Sequence, residues 1–340
     1  MVLCCAASLA QLPTGGVASR PASRLTAADL GLIINTADPY SVAVGEYYAV
    51  QRGIPPGQIL RIALPVKPTL TAAEFEVLAT QVREHMGAQV QGLALAWTQP
   101  YAVECNSITA ALTLGFAPEV CRQTCAPSPP SRYFNSSSSQ PFTDLGLRPS
   151  MLLAMRSVDS ARALIDRGIA SDQQLGKRWV PLAQAVFVTT PDAPRNVRSV
   201  LFPPAGQILE RGIEVIRREA SESTRLHRVV LYQTGLARVD PIDRTQWLPG
   251  ALADHLTSFG GQLLAVQGQM SALDWLEAGA TASYGTVSEP CNHLQKFPHP
   301  QALLAHYLQG ASALEAYWRS VAWPAQGVFV GEPLAAPFAR

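Results

Sequence analysis

Three short stretches hold the residue types that do chemistry. The first is Glu289-Pro290-Cys291-Asn292-His293. A cysteine with a histidine two residues on can form a thiolate–imidazolium pair, or the two side chains can ligate a metal. The opposing reading joins Cys291 to Cys105 in a disulfide and leaves His293 exposed. The second stretch is Glu104-Cys105-Asn106-Ser107. With Glu289, Cys291 and Asn292 it would line one polar ligand pocket, although the same residue types also cap helices and close turns. The third is Asp254-His255 with Ser258, the residue types of a triad. On a helix His255 and Ser258 would meet at i and i+3 while Asp254 pointed away, so ordinary helix-surface polarity is the expectation.

Elements must hold these stretches in place, and the apolar pattern locates them. The run 30–35 has the composition of a strand buried on both faces, and 59–64, 92–97, 151–155, 185–189 and 228–232 read as further strands. Between them, Asp38-Pro39 opens a helix that ends at Gly53, and Thr71-Ala72-Ala73-Glu74 has the form of a capping box for a helix to about Met86. Further helices are expected over 157–169, 207–220, 247–259 and 270–277. The C-terminal stretch places a small-residue strand at 279–287, a polar loop, an amphipathic helix containing Glu315-Ala316-Tyr317-Trp318, and a last strand ended by Gly331-Glu332-Pro333. Strand–helix alternation at this spacing predicts an α/β fold of mostly parallel sheets flanked by helices. Residues 100–149, rich in Pro and Ser, read as a long irregular loop.

Composition narrows the function classes. Of 340 residues, 48% are hydrophobic and 15% charged, which suits a globular chain with a large core. A formal charge of +1, with Arg217, Arg218, Arg225 and Arg228 interrupted by Glu219 and Glu222, argues against a nucleic-acid track. No apolar run is long enough for a membrane span. The start is apolar and ends in Ser8-Leu9-Ala10, the form of a signal-peptidase site, so residues 1–28 read as the tail of a signal peptide and a flexible lead-in. Export leaves Cys105, Cys121, Cys125 and Cys291, an even set that suits disulfides. One pairing would be Cys121–Cys125 as a local loop, with Cys105–Cys291 tying the halves together. His299 and His306 lack zinc-protease spacing, and neither a P-loop, a dinucleotide fingerprint nor a nucleophile elbow occurs, so no cofactor or metal is expected.

Two resemblances add to this reading. The segments Trp97-Thr98-Gln99-Pro100 with 101–109, Ile165-Asp166-Arg167-Gly168, 253–258, 284–292 and Val330-Gly331-Glu332-Pro333-Leu334 resemble an uncharacterised bacterial family associated with PEP-CTERM/exosortase surface sorting. From Val186 to Leu334 the chain also resembles, more distantly, the gingipain-like cysteine peptidases, whose fold is of the caspase group. That second resemblance implies a catalytic His in the turn after one strand and a Cys after the next. In this chain Leu236 stands at the His place and Ser258 is nearest the Cys place. Leucine carries no proton, and an unassisted serine is a weak nucleophile. The resemblances together imply two subdomains, 29–184 and a caspase-like 185–340. They also imply an exported, catalytically degenerate domain that binds a protein or peptide ligand at the cell envelope. The alternative is an active cysteine hydrolase using Cys291, or Cys105, with His293.

Overall fold

A computed structural model describes residues 24–177, 181–222, 225–239, 244–264 and 268–340. The expected signal-peptide tail lies outside them. The first half runs β1 (Leu30–Asn35), α1 (Pro39–Arg52), β2 (Ile59–Ile62), β3 (Thr69–Leu70), α2 (Ala72–His85), β4 (Gly92–Leu95), β5 (Ala102–Val103), β6 (Asn106–Ser107), α3 (Ile108–Leu114), α4 (Pro118–Arg122), α5 (Pro141–Leu145), β7 (Ser150–Leu152) and α6 (Val158–Ser171). The second runs β8 (Ala183–Thr189), β9 (Gly206–Ile208), β10 (Ile213–Glu219), β11 (Leu226–Thr234), β12 (Thr245–His255), α7 (Ala272–Glu277), β13 (Ala282–Thr286), α8 (Pro300–Leu308), α9 (Ala313–Trp318) and β14 (Gly327–Gly331).

Local signals set many of these boundaries. Asp38 accepts a hydrogen bond from the Tyr40 amide at the start of α1, and Gly53 ends the helix in the left-handed region. Thr71 and Glu74 complete the capping box of α2. Strands β1, β4 and β14 carry no polar face because they are covered on both sides, every residue being buried, whereas β2 at the sheet edge alternates and exposes Arg61.

Among the described residues one sheet of eleven strands runs in the order β2-β1-β4-β7-β14-β13-β12-β11-β8-β10-β9. The α/β, mostly parallel expectation holds, with both halves contributing to this single sheet. Pairing is parallel except for β13 with β14 and β9 with β10. Strands β2, β1, β4, β7 and β14 therefore run one way, and β13, β12, β11, β8 and β10 run the other. The last strand of the chain joins the first-half block, with Val330 opposite Leu152. A smaller sheet, β3-β5-β6, lies within the connections of the first half.

A buried acid ties the end of β14 to the first half of the chain. Glu332, fully buried just after β14, accepts from the Tyr48 hydroxyl at 2.7 Å and from Arg52 Nε and Nη2 at 3.0 and 2.5 Å. Arg52 also reaches Asp172 beyond α6 at 2.5 Å. Glycine is required at 168 to admit that carboxylate, since a Cβ there would sit 2.6 Å from the Glu332 side chain. Arg167 beside it donates to the Leu276 and Ala280 carbonyls at 3.2 and 2.7 Å. The Asp166-Arg167-Gly168 run thus lies inside α6 as a packing device between halves, not at a helix end.

Three expectations change. Residues 207–220 form β9 and β10, not a helix: β10 pairs with β8 along its whole length and β9 pairs antiparallel with it at the sheet edge, its face passing from buried Ile213 and Val215 to exposed Arg217 and Glu219. Residues 247–259 form most of β12. The stretch after Pro249-Gly250 reads as a helix, but residues 250–255 are fully buried between β11 and β13, and sheet pairing wins. Residues 100–149 are organised by β5, β6 and three short helices.

Candidate cleft at the carboxyl ends of two central strands

The parallel pairing of β11 with β12 sets Thr234 opposite His255, so the chains leave these strands side by side. Residues 235–237 follow one and 256–258 the other. Leu236 packs partly buried against the core. Ser258 is half-buried, and its carbonyl accepts from the Thr286 hydroxyl at 2.9 Å, which ties this turn to the end of β13. Close backbone contact helps the turn fit. A Cβ on Gly261 would lie 2.6 Å from the Gly285 carbonyl oxygen, so the two strand ends meet where neither has a side chain.

At these carboxyl ends lies a cleft of about 290 Å³, walled by Arg195, Thr257 and Ser258 on one side and by Glu289, Pro290, Cys291 and Asn292 on the other. Crevices of α/β sheets form at such strand ends. Arg195 is held by Asp192 at 2.9 Å and donates through Nε to Thr257 Oγ1 at 3.2 Å. Thr257 Oγ1 donates in turn to Gln269 Oε1 at 2.8 Å. Across the cleft, Glu289 Oε1 accepts from the Cys291 amide at 2.8 Å, and Gln326 Nε2 holds Ser288 Oγ and the Glu289 carbonyl at 2.8 and 2.9 Å.

The third stretch of the sequence is structural. As strand neighbours, Asp254 and His255 point to opposite faces. Asp254 is buried and ion-paired with buried Arg198 at 2.5 Å, and it accepts from Gln233 Nε2 at 2.9 Å. Burial still raises its carboxyl above the ordinary range, with Arg198 acting against the shift. His255 is buried with both ring nitrogens committed. Nδ1 accepts from Trp275 Nε1 at 2.9 Å, so Nε2 carries the proton and donates to the Met270 carbonyl at 3.0 Å. Burial pushes this imidazole down to about 4, and it is neutral at physiological pH. No Asp–His–Ser relay exists here, and the helix-surface reading of these residues gives way to a strand core.

The cysteines are paired as Cys105–Cys121 and Cys125–Cys291, which corrects the Cys121–Cys125 and Cys105–Cys291 expectation. The order of residues along the chain could not show that α4 places Cys121 beside Cys105. A bridged sulfur is neither nucleophile nor metal ligand, so Cys291 and Cys105 offer no thiolate in this state. His293 packs against the Trp323 ring, with centroids 5.8 Å apart. Among the described residues no group of three or more His, Cys, Asp or Glu side chains is placed to hold a metal ion. The first two stretches do meet: Ser288 Oγ donates to the Cys105 carbonyl at 2.7 Å. Glu289, Cys291 and Asn292 line the cleft, whereas Glu104, Cys105 and Asn106 lie behind that loop and are not among its walls.

Sequence reasoning missed Arg195, Thr257 and Lys296. Lys296 is buried, donates to the Thr124 carbonyl at 2.5 Å, and is pushed down to about 8 by burial, with Glu289 acting against the shift. A lysine inside Gln295-Lys296-Phe297 carries no sequence sign of burial. Arg198 is equally silent, because its partner Asp254 lies 56 residues away.

No family model matches this chain, and no curated protein does. Among solved structures the chain is similar to the crystal structure of the Arg specific cysteine proteinase gingipain R. The TM-score is 0.45 at 11% identity, covering 93% of this chain and 80% of that one. Among the described residues no helix is long and apolar enough to cross a membrane.

Proposed function

We propose that this protein is an exported, catalytically degenerate peptidase-like domain that holds a peptide segment in the cleft beyond β12 and β13. One observation carries the reading. At the adjacent carboxyl ends of β11 and β12, where a cysteine peptidase of this strand arrangement needs its imidazole and thiol, stand Leu236 and Ser258. The histidine nearest in sequence, His255, is buried and already bonded at both nitrogens. A serine without a base reacts too slowly to serve as a nucleophile, while the remaining donors and acceptors of the cleft still suit a peptide backbone. Two disulfides fit an oxidising compartment, which supports export and a role at the envelope.

The rival reading, a cysteine hydrolase acting through Cys291, rests on that residue lining the cleft. It requires the bridge to Cys125 to be open. A screen of fluorogenic and fluorescein-labelled peptides on the oxidised protein tests the first reading. The expected result is saturable binding without turnover, and Thr257→Trp, which fills the cleft, removes the binding. Turnover by oxidised protein that disappears in Ser258→Ala would overturn it. Turnover only after reduction, lost in Cys291→Ala, would establish the rival.

A further inference from the structure

The two disulfides sit in different surroundings. Cys105–Cys121 closes a local loop sixteen residues apart, and Asn106 Nδ2 lies 3.5 and 3.7 Å from its two sulfurs. The same amide donates to the Ala117 carbonyl at 3.0 Å, so this bridge rests on a buried, independently anchored side chain. Cys125–Cys291 joins residues 166 apart, and its Cys291 end forms part of the cleft wall. All four bridged cysteines are half-buried, so what sets this bridge apart is the cleft that its Cys291 end borders. Cys291 holds a left-handed backbone at φ 54°, rare for a residue with a side chain.

The segment that this second bridge fastens has few other ties. After Cys121 the chain next makes a backbone bond to the body of the protein at Ser131, whose amide reaches the Ala322 carbonyl at 2.8 Å. Between those points the Gln123 and Ala126 amides bond only locally, to the Glu119 and Gln123 carbonyls, and Lys296 Nζ holds the Thr124 carbonyl. One disulfide and one lysine therefore fix residues 122–130 against the loop 288–293. That lysine brings its positive charge to the residue adjoining Cys125.

We infer that Cys125–Cys291 is a thiol-exchange site that opens the cleft, while Cys105–Cys121 is a permanent staple. An incoming thiolate attacks the Cys291 sulfur from the cleft. The new S–S bond forms between the incoming sulfur and Cys291, the old one breaks, and its electron pair leaves on Cys125 as a thiolate. No net oxidation occurs in this step. A second thiol from a low-molecular-weight thiol or dithiol reductant then frees Cys291 and carries away the oxidised pair. The Lys296 ammonium stabilises the departing charge on Cys125, and a better leaving thiolate departs faster. Once released, residues 124–130 keep the Lys296 bond to Thr124 but lose their covalent tie, and the Cys291 wall of the cleft is free to move. The inference concerns the bridge and does not depend on which ligand the cleft holds.

Glutathione is the probe. Oxidised full-length protein is incubated with reduced glutathione, quenched with iodoacetamide at intervals and mapped by peptide mass spectrometry. The expected species is a Cys291–glutathione mixed disulfide with alkylated Cys125, accumulating before any change at Cys105 or Cys121. Hydrogen exchange should then rise in 122–130 and 288–293 while β11 and β12 stay protected. Opening of Cys105–Cys121 first or at an equal rate overturns the inference, as does glutathione on Cys125. Lys296→Gln separates electrostatics from fastening: it slows exchange several-fold if the ammonium serves the leaving thiolate, and Lys296→Arg restores the rate. Faster exchange in Lys296→Gln would show that the lysine only ties the segment down, and would overturn its assigned role.

Discussion

His255 offers the sharpest test of the claim that the histidine beside the cleft is a structural group. Replacing it with alanine deletes the acceptor for Trp275 Nε1 and the donor to the Met270 carbonyl, and it removes a ring packed 5.8 Å from Trp275. An indole N–H left unpaired in the core costs about 1–3 kcal/mol, and the lost ring leaves a cavity of comparable cost. The expected destabilisation at neutral pH is about 3–5 kcal/mol. The cost depends on pH in a definite direction. The folded imidazole sits at about 4, below its ordinary 6.5, so the unfolded chain binds the extra proton between those values. Stability from the neutral ring is therefore complete above about pH 6.5 and falls away as the pH drops toward 4. The loss amounts to about 3 kcal/mol over that window. Because His255→Ala lacks this group, the gap between wild type and variant should shrink by that amount. His306, also held at about 4, is common to both proteins and cancels in the difference. Urea unfolding of both proteins at pH 7.5 and near pH 4.5 measures the gap. A constant gap, a variant as stable as wild type, or a His255 Cε1 proton titrating near 6.5 would refute the reasoning.

Other outcomes follow from the same contacts. Glu332→Ala removes the buried acceptor of Arg52 and Tyr48, leaving Arg52 only Asp172, and should cost about 3–5 kcal/mol by chemical denaturation. Gly168→Ala should cost about 1–3 kcal/mol by crowding that carboxylate, and less when combined with Glu332→Ala. Arg198→Met leaves Asp254 buried without its cation and should lower stability by about 3–5 kcal/mol, with Asp254→Asn recovering part of it in the double variant. Ser258→Ala should leave the absence of turnover unchanged from wild type, as measured by a fluorogenic assay.

Several features were legible from residues alone. The apolar runs at 30–35, 92–97 and 185–189 are strands because segments buried on both faces need no polar alternation. Thr71 and Glu74 cap α2, and Asp38 with Pro39 starts α1, through contacts within four residues. Tyr317 and Trp318, within the expected C-terminal helix, are fully buried. The stretch from Glu289 to Asn292 does border a cleft, since a polar loop after a buried strand opens at the sheet end.

What the sequence determined by itself was the alternation of elements, their caps and the presence of four pairable cysteines. Only the tertiary structure decided that 247–255 is a strand, because pairing with β11 and β13 outweighs the local pattern. It also decided which cysteines join, that Asp254 belongs to Arg198 and that His255 belongs to Trp275 and Met270. These partners are distant along the chain, and burial in a low-dielectric interior is what turns each from a surface polar group into one that must be paired. Near neighbours reveal themselves through spacing, whereas partners across the core exist only once the sheet brings them together.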